Sequence, residues 1–112
     1  MATEIYMVEG DTAPDRTFNI TRSGAAVDLS SATVKLVIVD TGTGLVTNGG
    51  HQECDINSPA TAGIVTYLFD DGDIASPNVH FGDIVATYGS GQVETDFDRI
   101  LIHVRPKVTT VS

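Results

Sequence analysis

The 112-residue sequence contains one cysteine, Cys54, and no tryptophan. A lone cysteine excludes an internal disulfide and a zinc centre built on several thiolates, because both need more than one thiol. Glu53 and Asp55 flank it, and their negative charges oppose formation of the reactive thiolate. We therefore predict that Cys54 is a free thiol in a polar loop and does not act as a nucleophile.

Basic residues and long apolar runs are also scarce. Six lysines and arginines stand against fifteen aspartates and glutamates, which gives a formal net charge of -9. A field of this sign repels phosphate backbones, so nucleic acid is not an expected partner. The longest uninterrupted apolar run, Leu36 to Val39, is far shorter than the ~18 residues of a membrane-spanning helix. No membrane partner is therefore expected.

The first residues, Met1 to Glu4, show neither a basic start nor an apolar segment. This composition is not that of a secretory signal, so the protein is expected to fold in a cytoplasm.

What the sequence does contain is a series of β-branched and apolar stretches. The densest runs from Val34 to Val39 and is apolar at every position but Lys35. It predicts a central strand with neighbours on both sides, and Val34, Leu36 and Ile38 are assigned to its core face. Alternation and turn residues predict further strands at residues 4–9, 16–22, 25–29, 62–69, 79–88 and 92–104.

Turn signals separate these strands. Asn48-Gly49 is typical of a tight turn with positive φ at both central positions, within a hairpin and loop that span Thr41 to Pro59. Gly82, in the middle of a predicted strand, indicates a bulge or a close approach of the backbone. About seven or eight strands at this spacing predict an antiparallel β-sandwich. We expect a single domain over residues 1–112, with short flexible ends at 1–3 and 107–112.

Two groups of residues could bind a metal. Asp70, Asp71 and Asp73 lie in one turn with Gly72; they either coordinate a hard cation through oxygen or form a solvated turn that caps the chain reversal. His51, His80 and His103 lack the short spacing of a metal site. We predict no metal centre and no cofactor.

Catalytic machinery is not visible either. His80 and Asp83 are three residues apart in one predicted strand, so their side chains point to opposite faces and cannot work as a base with its orienting group. No serine has the context of a nucleophile elbow, and no glycine-rich phosphate fingerprint opens a helix. The protein is therefore predicted not to be an enzyme.

Two segments are candidate partner contacts. Glu94, Asp96 and Asp98 alternate along the last strand and share one face; they either keep an edge from pairing with further strands or bind a basic partner. Val108 and Val111 follow Pro106 in a tail of high strand propensity. That tail could add a strand to a neighbouring subunit.

Five stretches, in this order, resemble a known family: GDTAP at 10–14, TFNIT at 17–21, VDLSSATVKLVI at 27–38, AGIVTYLFDDGD at 62–73 and GQVETDFD at 91–98. The chain resembles the immunoglobulin-like N-terminal domain of phage baseplate upper proteins and related tail and virion proteins, from about residue 8 to about residue 105. The resemblance implies an immunoglobulin-like β-sandwich that docks onto other virion proteins and carries no catalytic residues.

On this resemblance we expect a structural component of a phage virion, either a tail or baseplate adaptor or a capsid decoration protein. It would be assembled in the host cytoplasm, act through protein contacts and form a homo-oligomer in the assembly. The alternative is a carbohydrate-binding module, in which Tyr6, Tyr67 and Tyr88 present aromatic platforms to sugars.

Overall fold

The computed structural model of the chain describes residues 3–11, 15–22, 24–70, 72–95 and 99–106. These residues form eleven β-strands and one short 3-10 helix. In chain order they are β1 (Thr3–Val8), β2 (Arg16–Asn19), β3 (Thr21–Arg22), β4 (Ala25–Ala26), β5 (Ala32–Asp40), β6 (Leu45–Val46), β7 (Asp55–Ile56), the 3-10 helix (Ala60–Ala62), β8 (Ile64–Tyr67), β9 (Val79–Tyr88), β10 (Val93–Thr95) and β11 (Ile100–Arg105).

The strands make two facing sheets and a small ribbon. The larger sheet has the order β1-β11-β9-β5-β6, with β10 also paired to β9. The smaller sheet has the order β2-β8-β7, and β3 pairs with β4. The ladders are antiparallel except for β1 with β11, which run parallel over six residue pairs. The predicted all-β sandwich is confirmed, and its larger sheet is mixed.

The predicted central strand is β5, but it lies next to the short edge strand β6, and β9 is in the middle of the larger sheet. Val34, Leu36 and Ile38 are completely buried on its inner face. On one side it pairs with β9 along its whole length. On the other side it contacts β6 and then irregular chain, where the Leu36 N–H donates to the Gln52 carbonyl at 2.8 Å and the Cys54 N–H to the Val34 carbonyl at 2.8 Å.

One core lies between the sheets. Alternate residues of each strand point into it, as the period of two in a strand requires. Its side chains are Ile5, Met7, Phe18, Ile20, Val27, Leu29, Val34, Leu36, Ile38, Cys54, Val65, Tyr67, Phe69, Ile74, Ile84, Ala86, Ile100, Ile102 and Val104. Gly82 faces the same core, and a Cβ there would lie 3.0 Å from Leu36 Cδ1 and 3.4 Å from Ile100 Cβ. The predicted close approach at Gly82 is confirmed.

Two predicted strands are interrupted. The strand expected at 16–22 breaks at Ile20, because the Ile20 N–H donates to the Gly63 carbonyl and its own carbonyl accepts from the Val27 N–H. The strand expected at 92–104 splits into β10 and β11, which pair with different parts of β9. Thr95 faces Val85 and Ile100 faces Gly82, so the register against β9 differs by two residues between β10 and β11.

The predicted tight turn at Asn48-Gly49 is wrong in its geometry. The hairpin between β5 and β6 turns at residues 41–44, where Gly44 adopts the left-handed conformation with φ of 74°, whereas Gly49 has no positive φ. Asn48 is instead buried, because its side-chain amide replaces backbone on the free side of β5: Oδ1 accepts from the Ile38 N–H at 3.0 Å and Nδ2 donates to the Leu36 carbonyl at 2.7 Å.

Candidate functional site

A cavity of about 440 Å³ opens at one end of the larger sheet. Because β1 and β11 are parallel, their carboxyl ends meet there, and the start of the antiparallel β9 lies beside them. The lining residues come from the ends of these strands, from the loop before β9 and from the start of the smaller sheet: Tyr6, Met7, Val8, Asp11, Arg16, Pro77, Asn78, Val79, His103, Val104 and Arg105. Rigid strands therefore hold most of the wall.

An aromatic pair forms one side of the cavity. Tyr6 and His103 are register partners across the β1–β11 ladder and point away from the core. Their rings stack with centroids 4.7 Å apart and an interplanar angle of 12°, and Tyr6 is 69% exposed. His103 Nε2 lies 3.0 Å from Glu4 Oε1, and this contact orients the imidazole. The pair offers a flat surface to an incoming ring.

Arginines supply the charge of the cavity. Arg16 opens β2, and its Nε is buried with no hydrogen-bond partner in the described part of the chain. Arg105 ends β11, and its guanidinium donates to the Pro106 carbonyl at 3.2 Å. Asp11 is the one acidic residue of the lining. Two of the six basic residues therefore share a cavity with one of the fifteen acidic residues, and the cavity is locally positive in an acidic protein.

Two buried side chains, Asp40 and His80, lie beneath this end of the sheet together with the exposed Asn78, and we call these three residues the histidine cluster. His80 is 0% exposed, with Nδ1 at 3.0 Å from the Asn78 carbonyl and Nε2 at 4.0 Å from Asp40 Oδ2. Nε2 has no hydrogen-bond partner among the described residues. The Asn78 amide donates to Asp40 Oδ1 at 3.1 Å, and Asn78 also lines the cavity.

The pKa of Asp40 is lowered in spite of its burial. Desolvation acts to raise the pKa, but it is outweighed by the hydrogen bond from the Gly42 N–H at 2.8 Å, the hydrogen bond from Asn78 and the charge of His80. Asp40 is therefore held as a carboxylate in the interior.

A second buried polar group lies at the other edge of β5, and we call Asn48, Tyr67 and Asp73 the tyrosine cluster. The Tyr67 hydroxyl oxygen lies 2.6 Å from Asp73 Oδ2 and accepts from Asn48 Nδ2 at 3.0 Å. Asp73 also accepts from the Asp70 N–H at 2.9 Å. Burial, and then the hydrogen bond to Asp73, raise the pKa of Tyr67 and keep it protonated. These contacts are structural.

The tyrosine cluster corrects the prediction for the acidic turn. Asp73 is 2% exposed, so the turn is not solvated throughout, although Asp70 is exposed. Asp71 lies outside the described residues. No group of three or more histidines, cysteines or acidic residues in the described part of the chain could hold a metal ion.

The predicted partner contacts are placed only in part. Glu94 lies on β10, half-buried, where Oε1 accepts from the Tyr88 hydroxyl at 2.9 Å. Asp96, Asp98, Val108 and Val111 lie outside the described residues.

Cys54 is in the core and not in an exposed polar loop, which corrects its predicted position. It is 4% exposed. Burial, followed by the charge of Asp55, raises the pKa of the thiol to about 12. The thiol is therefore protonated at neutral pH, which agrees with the prediction that it is not a nucleophile.

The prediction for His80 and Asp83 is confirmed, because they lie on opposite faces of β9. Asp83 points outward and pairs with Arg99 at 3.1 Å, and the Arg99 guanidinium lies 4.8 Å from the centroid of the Phe81 ring.

Among the described residues, no helix is long and apolar enough to cross a membrane.

The three tyrosines do not form a common platform. Tyr67 is completely buried and Tyr88 is half-buried against Glu94, so only Tyr6 presents a mostly exposed ring. Sequence reasoning named Tyr6 but missed Arg16 and Arg105 as site residues. The scarcity of basic residues was the available signal, because each arginine in an acidic chain is a potential anion contact.

Comparison with known proteins tests these expectations. No family model matches the chain, and no curated protein matches it. Among solved structures, the chain is similar to CopC from Methylosinus trichosporium OB3b, with a TM-score of 0.55 and 10% sequence identity over 98% of this chain and 91% of that chain. At this identity the likeness shows the fold, and it confirms the immunoglobulin-like β-sandwich.

The same comparison contradicts the predicted role as a structural component of a phage virion, because the matching fold is that of a CopC and not of a virion protein. The resemblance to the baseplate domain depended on stretches whose residues form strands and turns, and such patterns recur in unrelated sandwiches. What the chain shares with known proteins is thus an immunoglobulin-like sandwich shaped like that of CopC.

Proposed function

We propose that this domain is a non-enzymatic binding module that holds a ligand in the cavity at the shared end of β1 and β11. One observation carries the proposal: a single cavity combines an aromatic pair, of which Tyr6 is exposed, with a buried guanidinium nitrogen that lacks an acceptor among the described residues. Cavities of roughly 300–1,000 Å³ that combine apolar walls with a few polar groups are typical of small-molecule sites. The cavity of about 440 Å³ falls within that range.

The unpaired nitrogen of Arg16 is the more specific part of this argument. A buried donor without an acceptor costs about 1–3 kcal/mol. Nε is covered in this structure, so the half-buried side chain must rotate before a ligand oxygen can accept from it; that hydrogen bond would then offset the cost. The same oxygen would gain little from a guanidinium already paired within the protein. Arg16 is therefore arranged for an external acceptor.

The walls are suited to binding without large rearrangement. Tyr6 and His103 lie in the middle of a six-pair ladder, and Arg16 pairs with Tyr67 at the start of the β2–β8 ladder. Side chains anchored on paired strands lose less conformational entropy on binding than side chains on mobile loops. The site is thus preorganised by its backbone.

Fragment screening by NMR tests the proposal. A library that contains neutral, cationic and anionic fragments is added to the 15N-labelled protein. Amide shifts are expected at Tyr6, Arg16, Asn78, His103 and Arg105, with little change at β10. Failure of every charge class to shift these amides, or shifts confined to other surfaces, would contradict the proposal.

A pair of variants gives the matching control. Tyr6→Ala removes the exposed ring of the cavity and should weaken fragment binding about tenfold, as loss of an aromatic contact of about 1 kcal/mol or more predicts. Val93→Ala removes an equally exposed apolar side chain at the β10 end. It should leave binding unchanged.

A further inference from the structure

The chemistry of the cavity restricts the ligand class, and the restriction starts from charge. The chain as a whole carries a formal charge of -9 and repels anions. In the cavity, Arg16 and Arg105 outnumber Asp11. A positive site within a negative surface favours an anion, and the presence of Asp11 favours a monoanion over a dianion such as phosphate.

The guanidinium of Arg16 restricts the class of anion further. Its backbone is fixed by the pairing with Tyr67, and its buried Nε has no acceptor among the described residues. A guanidinium offers Nε and a terminal nitrogen as parallel donors, and this fork matches the two oxygens of a carboxylate.

The rest of the cavity requires an apolar body on that anion. Met7, Val8, Val79 and Val104 contribute aliphatic wall, and the stacked Tyr6–His103 pair contributes a flat one. A small hydrophilic anion would leave these surfaces without contacts, whereas a ring or a flat chain would bury them.

We infer that the ligand is a carboxylate carried on a flat apolar body, with the carboxylate on Arg16 and the body against Tyr6 and His103. The inference rests on the proposed function and names its ligand class. Two sources supply this chemistry: a free aromatic acid, and the carboxyl terminus of a peptide that ends in an aromatic residue.

The test compares two probes that differ only in charge. 3-Phenylpropionate and 3-phenylpropanamide have the same body, and calorimetry or NMR titration gives the affinity of each for the unmodified protein. Because hydrogen bonds to charged groups contribute about 1.5–3 kcal/mol, the acid is expected to bind about 10- to 100-fold more tightly than the amide. Equal affinity for the two probes overturns the inference and leaves the binding module standing.

Variants locate the contact. Arg16→Gln should abolish the preference for the acid, and Arg16→Lys should retain only part of it, because an ammonium lacks the fork. Arg99→Gln removes the same charge from an arginine paired with Asp83 outside the cavity, and it should leave the preference unchanged. A preference that survives Arg16→Gln overturns the inference. If Arg16→Gln does not fold, Arg16→Lys and the acid–amide comparison on the unmodified protein decide.

Further probes distinguish the free aromatic acid from the peptide carboxyl terminus, and both from inorganic phosphate. An acetylated tetrapeptide ending in phenylalanine is compared with its carboxyl-terminal amide. Tighter binding of the acid peptide than of 3-phenylpropionate assigns the peptide source, and the reverse order assigns the free acid; both support the inference. Inorganic phosphate binding more tightly than 3-phenylpropionate overturns it. If neither phenyl probe nor any fragment shifts the cavity amides, the proposed function fails as well.

Discussion

The tyrosine cluster and the histidine cluster are both groups of mostly buried polar side chains that lie on or beside β5. They differ in how many of their polar atoms have hydrogen-bond partners. In the tyrosine cluster, the Asn48 amide, the Tyr67 hydroxyl and the Asp73 carboxylate all have hydrogen-bond partners. In the histidine cluster, His80 Nε2 has none among the described residues. A complete polar network stabilises one arrangement of the core, whereas an incomplete one contributes less to stability.

Their positions explain the difference. On the side of β5 that has no regular neighbouring strand, the Asn48 side chain makes the hydrogen bonds that the backbone of such a strand would make. These contacts therefore stabilise the sheet. The histidine cluster lies next to the cavity, and Asn78 belongs to both. We conclude that the tyrosine cluster stabilises the sandwich. The hydrogen bonds of the histidine cluster contribute less to the stability of the fold.

The largest expected effect comes from breaking the complete cluster. Asn48→Leu leaves the Ile38 N–H and the Leu36 carbonyl without partners and should lower the free energy of unfolding by about 3 kcal/mol. Urea unfolding monitored by circular dichroism measures it. Asn57→Leu is the control, since the half-buried Asn57 side chain accepts a single hydrogen bond among the described residues, from the Thr66 hydroxyl at 2.8 Å. If the two variants lose equal stability, Asn48 has no special role.

A substitution in the histidine cluster should lower the free energy of unfolding by a smaller amount. His80→Leu removes one hydrogen bond, to the carbonyl of the exposed Asn78, which water can then solvate. It also removes the charge interaction with Asp40 at 4.0 Å, but the Asp40 carboxylate keeps its hydrogen bonds from Gly42 and Asn78. We expect a loss of about 1 kcal/mol in the same unfolding measurement. A loss equal to that of Asn48→Leu would refute the distinction between the two clusters.

Acid should act on the histidine cluster through Asp40. Because its pKa is lowered in the folded protein, the unfolded state binds more protons between the two pKa values. The stabilisation is complete above the ordinary carboxyl pKa of about 3.9 and is lost as the pH falls through the folded value. Asp40→Asn should therefore flatten the fall in stability below about pH 5, as measured by urea unfolding over a pH series.

Asp28 supplies the control for that experiment. Its pKa is also lowered, by the hydrogen bonds from the Ser30 hydroxyl and N–H, but the residue is exposed. Because water screens an exposed carboxylate, Asp28→Asn should change the pH profile less than Asp40→Asn does. The opposite order would show that the buried carboxylate is not the main acid-sensitive group of the pair.

The smallest effect is expected at Cys54. With a pKa of about 12, the thiol is protonated at pH 8 and buried. Iodoacetamide followed by mass spectrometry should leave the folded protein unlabelled and modify it once denaturant is added. Rapid labelling of the folded protein would place Cys54 at the surface, as the sequence alone predicted.

Local pattern predicted the strands that depend on alternation. The inward face of β5 and the bounds of β9 agree with the sequence, because side-chain direction in a strand repeats every two residues. The same reasoning failed for Asn48 and Cys54. Both lie in a polar, glycine-containing stretch, and their burial follows from hydrogen bonds to β5 that no local pattern encodes.

The candidate site is formed only by the tertiary structure. Arg16 and Arg105 are 89 positions apart in the sequence (105 − 16) and meet at one cavity only because the start of β2 in the smaller sheet lies beside the end of β11 in the larger sheet. The amino-acid sequence by itself determined the all-β class, the core face of β5 and the acidic charge, since these follow from composition and from a period of two. Only the tertiary structure decided which arginines share a cavity, which histidine is buried without a full set of partners, and where the last strand shifts register. Those outcomes depend on contacts between distant parts of the chain, whose pairing depends on the whole core and not on neighbouring residues.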